Sequence, residues 1–191
     1  MTTPLKIAAG LTLCALAGGA AASELHIGRE ALQSLIAAAV FKDHGRWDLV
    51  KGSCYAYLER PRVGLDSGRI LIDAHLSSHL GLNVADSCVG AELASDVRLS
   101  GRPAGSGSHI AIEDIRIDRV QDESTRAAVE LLQSAGGGLP KAVNIDLLPL
   151  LEPANVPGTD IKISATHLAI TRVSTLVDVV DVEFEVKLNA R

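Results

Sequence analysis

The chain has 191 residues, of which 47% are hydrophobic and 21% charged, and its formal net charge is −5. This composition is typical of a folded globular chain and excludes intrinsic disorder. The negative charge and an aromatic content of 3% disfavour a nucleic-acid partner, because such partners are bound by basic side chains and aromatic stacking platforms. We expect no nucleic acid among its ligands.

The first 22 residues have the pattern of a secretory signal peptide. Lys6 precedes a short apolar run over 7–17, and small residues follow, with Ala20 and Ala22 in an A-x-A arrangement. The run is too short to cross a membrane, which takes about 20 residues. We therefore predict a periplasmic protein that is cleaved near Ala22.

Cleavage there would leave residues 23–191, which we expect to form a single α+β domain. Cys14 would leave with the leader, and the large Leu13 before it argues against lipid anchoring at Cys14. Two cysteines then remain, Cys54 and Cys88. An even pair in an exported chain is predicted to form a disulfide bond.

Apolar periodicity predicts two helices. The first has apolar residues at the i, i+3, i+4 and i+7 positions of one helix face, namely Leu32, Leu35, Ile36 and Ala39. The second is expected over 122–135, with Asp122 as its N-cap and a run of glycines at its end.

Alternation of apolar and polar residues predicts long strands. The period of two begins at about Ser53, where Val63 and Leu65 lead into a turn, and it recurs in six further segments: 70–80, 89–99, 110–117, 143–147, 161–170 and 180–188. Asp66-Ser67-Gly68 is predicted to be a hairpin turn, and the Gly-, Pro- and Ser-rich stretch 101–107 a loop.

The alternation slips by one residue at two places, between Ile112 and Ile115 and between Ala165 and Leu168. One extra residue in a strand is a β-bulge, and bulges bend and twist a sheet. We therefore predict an α+β fold in which one strongly curved antiparallel sheet of long strands wraps around one or two helices.

Four parts of the chain carry a family resemblance: Leu25-His26-Ile27 before the first helix, the strand 69–76, the stretch 110–117 before the second helix, and the closing strand pair. In this layout the chain resembles the YceB-like periplasmic proteins of the tubular lipid-binding (TULIP-like) group. The resemblance lies in element order and alternation, without a diagnostic motif. It implies a curved sheet wrapped on a long helix, with an apolar groove for lipid acyl chains.

The function predicted from this resemblance and from the alternation is the binding of a lipid or another hydrophobic small molecule, with membrane contact at most transient. The groove between sheet and helix would be lined by Leu35, Ile36, Ile70, Ile72, Leu76, Val180, Val182 and Phe184. No basic cluster is visible along the chain, so we expect little selectivity among lipid headgroups.

The alternative is an envelope protein-interaction or assembly module with a filled core and no ligand. A cavity above roughly 300 Å³ would favour the lipid carrier. A filled core with an exposed apolar patch would favour the interaction module.

Catalysis is not predicted, and neither a cofactor nor a metal site is expected. The sequence shows no nucleophile and base at a spacing typical of an enzyme. His75 and His79 would lie ~13 Å apart on a strand, too far to share one ion.

Overall fold

The structure is a computed structural model that describes residues 23–134, 139–148, 151, 154–155, 160 and 162–190. The predicted leader with Cys14, and the glycines after the second helix, lie outside these residues. The elements in chain order are β1 Ser23–Gly28, α1 Arg29–Val40, β2 Arg46–Val50, β3 Tyr55–Asp66, β4 Arg69–Val84, β5 Ser87–Ser106, β6 His109–Val120, α2 Glu123–Ser134, β7 Ala142–Asp146, β8 Ala154–Asn155, β9 Lys162–Thr175 and β10 Val179–Ala190.

The strands of the described residues form two antiparallel sheets. Strands β2 to β7 pair in sequence order in a six-stranded sheet, and β1, β10, β9 and β8 form a four-stranded sheet. The six-stranded sheet is curled into a half-barrel. The predicted fold class is therefore confirmed, but the strands divide between two sheets and do not form one.

The β3–β4 hairpin shows how local sequence sets the register. Ser67 and Gly68 both have positive φ angles, 50° and 79°, and they join the paired residues Asp66 and Arg69 in a two-residue turn. Turns of this kind match the twist of the flanking strands. The strict alternation of buried and outward positions over Arg69–Ser78 of β4 then follows as predicted.

Both predicted bulges are present. Asp114, with φ 49°, lies where the pairing of β5 with β6 shifts, and Thr166 lies where the pairing of β9 with β10 shifts. Further irregularities that the alternation did not reveal occur at Arg60-Pro61, Asp118 and Thr171. Because each extra residue bends its strand, these sites account for the curvature of the sheets.

The prediction of a loop over 101–107 is wrong, because β5 continues to Ser106. The glycines there serve close packing. A Cβ at Gly101 would overlap the side chain of Ile112, and one at Gly105 would overlap the side chain of Ile170 on β9. Strand β9 reaches the six-stranded sheet at this point, where the Ile170 amide donates to the Gly107 carbonyl oxygen at 2.7 Å.

Helix α1 packs between the two sheets. Leu32 and Ile36 on its apolar stripe are fully buried, and the helix contacts β3 and β7 of one sheet and β1 and β10 of the other. The side chain of Gln33 accepts a hydrogen bond from the Val63 amide at 3.3 Å. The curved sheet therefore closes on α1, as predicted.

Helix α2 begins at the predicted cap. The Asp122 carboxylate accepts hydrogen bonds from the Thr125 amide at 2.8 Å and from the Thr125 hydroxyl at 2.9 Å. The Asp122 amide in turn donates to the hydroxyl of Ser95 on β5 at 3.0 Å. The start of α2 is thereby held against the six-stranded sheet.

Candidate functional site

The residues of the predicted groove lie in the hydrophobic core. Leu35 is half-buried and packs against this core. The other seven are at most 8% exposed: Ile36, Ile70, Ile72, Leu76, Val180, Val182 and Phe184. The structure thus brings side chains from α1, β4 and β10 into one cluster.

Two recesses of about 430 and 380 Å³ lie in the described surface, and mostly polar or charged side chains line both. None of the eight groove residues lines either recess. Core side chains packed at normal density leave few voids larger than a water molecule. Neither recess is the predicted groove, so hydrophobe binding by the groove residues stays a prediction.

The β4–β5 hairpin extends past its neighbours. In the described part of the chain, residues 80–84 and 87–91 pair only with each other, and we call this two-stranded extension (residues 80–91) the arm. Three apolar side chains on the arm are exposed: Leu82 by 75%, Val89 by 62% and Val84 by 53%. They continue the inward-facing positions of β4 and β5 beyond the end of the core.

The predicted disulfide bond is present and holds the arm. Cys54, just before β3, is bonded to Cys88 on the arm, with 4.9 Å between the two Cα atoms. A two-stranded hairpin is marginally stable in water without such support. The bond is consistent with an exported chain, because disulfides persist in oxidising compartments.

Two glycines face each other at the base of the arm. Gly81 pairs with Gly90, and a Cβ on either would overlap the backbone of the opposite strand. Glycine is therefore required at both positions by the close approach of the strands.

A row of charged side chains crosses the outer face of the six-stranded sheet. Arg62, Asp73, Arg98 and Arg119 occupy directly paired positions on β3, β4, β5 and β6. With Arg60 they line the recess of about 380 Å³, which we call the arginine cleft. The expectation that the chain lacks a basic cluster is wrong, because folding brings together arginines from three strands, β3, β5 and β6.

Two carboxylates in the arginine cleft are already engaged. Arg98 donates to both oxygens of Asp73, at 2.6 and 2.9 Å, and this bonding raises the pKa of Arg98. The Asp96 carboxylate lies 2.8 Å from Nδ1 of His75. The hydrogen bond with His75, together with the charges of His75, Arg60 and Arg62, lowers the pKa of Asp96.

A second cluster of titratable groups joins β1 to β10. Nδ1 of His26 lies 2.6 Å from Oδ1 of Asp181, and Glu24 is close enough for one atom of each residue to fall within 4.8 Å of the others. These residue types are possible metal ligands. The short contact between His26 and Asp181 is, however, explained by a hydrogen bond between the two side chains.

Sequence reasoning missed the arginine cleft for an identifiable reason. The Ser67-Gly68 turn alone places Arg62 opposite Asp73, and this signal was available from the sequence. The next turn, Ala85-Asp86, has positive φ angles of 49° and 63° without a glycine. Because this turn lacks the glycine that is typical of two-residue hairpin turns, the sequence does not reveal the register between β4 and β5.

Comparisons with known proteins find no relative. The chain matches no family model, and neither the curated proteins nor the solved structures contain a significant match. In the described residues, no helix has the length and apolar character needed to cross a membrane. The resemblance to YceB-like proteins thus stays a prediction.

Proposed function

We propose that this chain is a periplasmic interaction module that contacts an envelope protein through the apolar face of its arm. The observation that carries the proposal is the exposed set of Leu82, Val84 and Val89 on a hairpin whose two edges pair with no other strand of the described residues. The proposed location rests on the leader pattern over 1–22 and on the Cys54–Cys88 disulfide.

The packing of the interior supports this function over that of a carrier. Ile36, Ile70 and Val180 are completely buried. Burial stabilises each such side chain by about 1.5–3 kcal/mol, so a ligand that separated them would have to restore that contact area.

The arm suits a protein partner. Free strand edges offer unpaired backbone N–H and C=O groups, and a partner can pair a strand with them. Exposed Leu82 and Val89 are directly paired across the hairpin and give such a strand an apolar surface to cover. The partner we propose is therefore an envelope protein that adds an extended segment with apolar side chains.

Site-specific photo-crosslinking in intact cells tests the contact. A photoreactive residue at Leu82 is expected to give one discrete adduct, and Val89→Asp in the same chain is expected to abolish it. Val177→Asp is the matched control, because Val177 is 91% exposed and lies outside the arm. A diffuse ladder of adducts, or an adduct that survives Val89→Asp, would contradict the proposal.

Export is tested separately. N-terminal sequencing of the periplasmic protein is expected to begin at Ser23 or Glu24. Recovery of Met1, or of a lipid-modified Cys14, would contradict cleavage near Ala22.

A hydrophobe carrier is the second candidate function. The half-barrel around α1 and the resemblance to tubular lipid-binding proteins favour it. Native mass spectrometry of the protein from its own envelope is expected to show bound lipid if this function is correct. Ile72→Gln should then reduce uptake of a fluorescent fatty acid, and the outward Ser77→Gln should not. A wild-type protein that takes up no probe would exclude the carrier.

A further inference from the structure

The arginine cleft holds more positive charge than its own carboxylates neutralise. Arg98 is bonded to Asp73, and Asp96 is bonded to His75. Among the ion pairs of the described residues, none includes Arg62 or Arg119. These two guanidinium groups are exposed at opposite ends of the row.

The placement of these charges opposes stability. Arg98 on β5 is directly paired with Arg119 on β6, and like charges directly opposite each other destabilise an antiparallel pair. The chain as a whole carries a net charge of −5, so the cleft differs in sign from the rest of the molecule. An anion between the arginines would relieve the repulsion.

The geometry points to a phosphate group: we propose that the arginine cleft binds a phosphate through Arg62, Arg98 and Arg119. A guanidinium presents a planar fork of N–H donors that matches phosphate oxygens. Arg98 uses Nε and Nη2 on Asp73, which leaves Nη1 for the ligand and fixes the side chain in place. Arginines that approach from three strands suit the several oxygens of a phosphate better than the two oxygens of a carboxylate.

The β3 bulge adds a fourth guanidinium. Arg60 and Pro61 together lie opposite Ala74, and Arg60 has a φ of 54°. The extra residue brings Arg60 as well as Arg62 to the rim of the cleft. A bulge that re-aims a side chain in this way is frequent beside binding sites.

The phosphate has two possible sources, a soluble phosphate compound or the headgroup of an anionic phospholipid. Inorganic phosphate, followed by ³¹P NMR titration of the full mature protein, tests the first source. Cosedimentation with phosphatidylglycerol vesicles, compared with phosphatidylcholine vesicles, tests the second. The proposal does not depend on the arm contact, because the two surfaces lie on different parts of the six-stranded sheet.

The variants Arg62→Gln and Arg119→Gln are each expected to weaken binding about tenfold or more, since each removes charge-assisted hydrogen bonds. Arg62→Lys should give an intermediate loss, because it keeps the charge and loses the fork. Arg172→Gln on β9 is the matched control, because Arg172 is an exposed arginine outside the cleft. All four changes are at exposed positions, and near-ultraviolet circular dichroism will verify that the fold is retained.

Binding of inorganic phosphate, lost in both cleft variants and kept in Arg172→Gln, would support a soluble ligand. Binding to phosphatidylglycerol vesicles alone, with the same pattern among the variants, would support a lipid headgroup. Wild-type protein that binds neither probe would overturn the proposal. An equal loss in Arg172→Gln would also overturn it, because attraction would then depend on overall charge.

Discussion

His26 on β1 lies directly opposite Asp181 on β10, and Nδ1 of His26 is 2.6 Å from Oδ1 of Asp181. The Asp181 side chain is 11% exposed, whereas the His26 side chain is 63% exposed. The hydrogen bond with Asp181 raises the pKa of His26 above its ordinary value of 6.5, and desolvation opposes this less strongly.

This pair predicts that stability depends on pH. The pKa of His26 is higher in the folded chain, so the stabilisation of the fold by its bond with Asp181 is fully present below pH 6.5. This stabilisation is lost as the pH rises through the folded-state pKa of His26. Thermal melting of the wild type over that interval should show a falling Tm. The His26→Gln variant should show a smaller fall, and an identical pH dependence in both proteins would contradict the assignment to His26.

Loss of the disulfide should destabilise the chain and loosen the arm. Replacing Cys54 and Cys88 by Ala is expected to lower the free energy of unfolding by about 2–4 kcal/mol. Denaturant unfolding measures this, and hydrogen exchange of residues 80–91 should become faster than in the wild type. Ser53→Ala is a neighbouring control that keeps the bond. Alkylation of both thiols in the native protein would show that the bond is absent.

The glycine contact between the sheets predicts a packing defect on substitution. Gly105→Ala places a Cβ against Ile170 on β9 and should cost about 1–3 kcal/mol of unfolding free energy. Gly64→Ala is the control, since its Cβ would lie 3.8 Å from Leu71 Cβ in ordinary contact. That change should be neutral or stabilising by up to about 1 kcal/mol. Equal effects of the two changes would show that β9 does not approach Gly105.

The Asp122 cap predicts a sensitivity to acid. Hydrogen bonds from Ser124 and Thr125 lower the pKa of Asp122 below its ordinary value of 3.8. The stabilisation of the fold by the ionised cap is therefore present above pH 3.8, and it is lost as the pH falls through the lowered folded-state pKa. Asp122→Ala should lower Tm at neutral pH, and Asp122→Asn should retain most of the stability because it keeps an acceptor oxygen. The neighbouring Glu123→Ala should have the smaller effect. A Tm unchanged by Asp122→Ala would contradict a stabilising role for the Asp122 cap.

Local chemistry explains what the sequence could predict. Alternation along β4, the turn at Ser67-Gly68, the bulge near Asp114 and the cap at Asp122 are each determined by a few neighbouring residues, and all were predicted. The disulfide was also predicted, because only two cysteines follow the predicted leader.

Long-range contacts explain which features the sequence could not predict. Gly105 indicated a loop, but its lack of a side chain is explained by Ile170, which is 65 residues away in sequence. The division into two sheets follows from where β9 and β10 pair, which alternation does not specify. The arginine cleft likewise depends on the register of four strands, and the position of Arg119 opposite Arg98 follows a register shift at Asp118 that the periodicity did not reveal.

The pairing of β1 with β10 influences the order in which strand pairs can form during folding. Strands β2 to β7 each pair with the next strand along the chain, so that sheet can grow from short-range contacts. Strand β1 pairs with a partner about 155 residues away, as His26 and Asp181 show. Contacts between such distant residues form slowly, because a long loop must close before they contribute. Strand β1 therefore stays without its partner until β10, close to the end of the chain, is available, and we expect the β1–β10 pair to form after the six-stranded sheet.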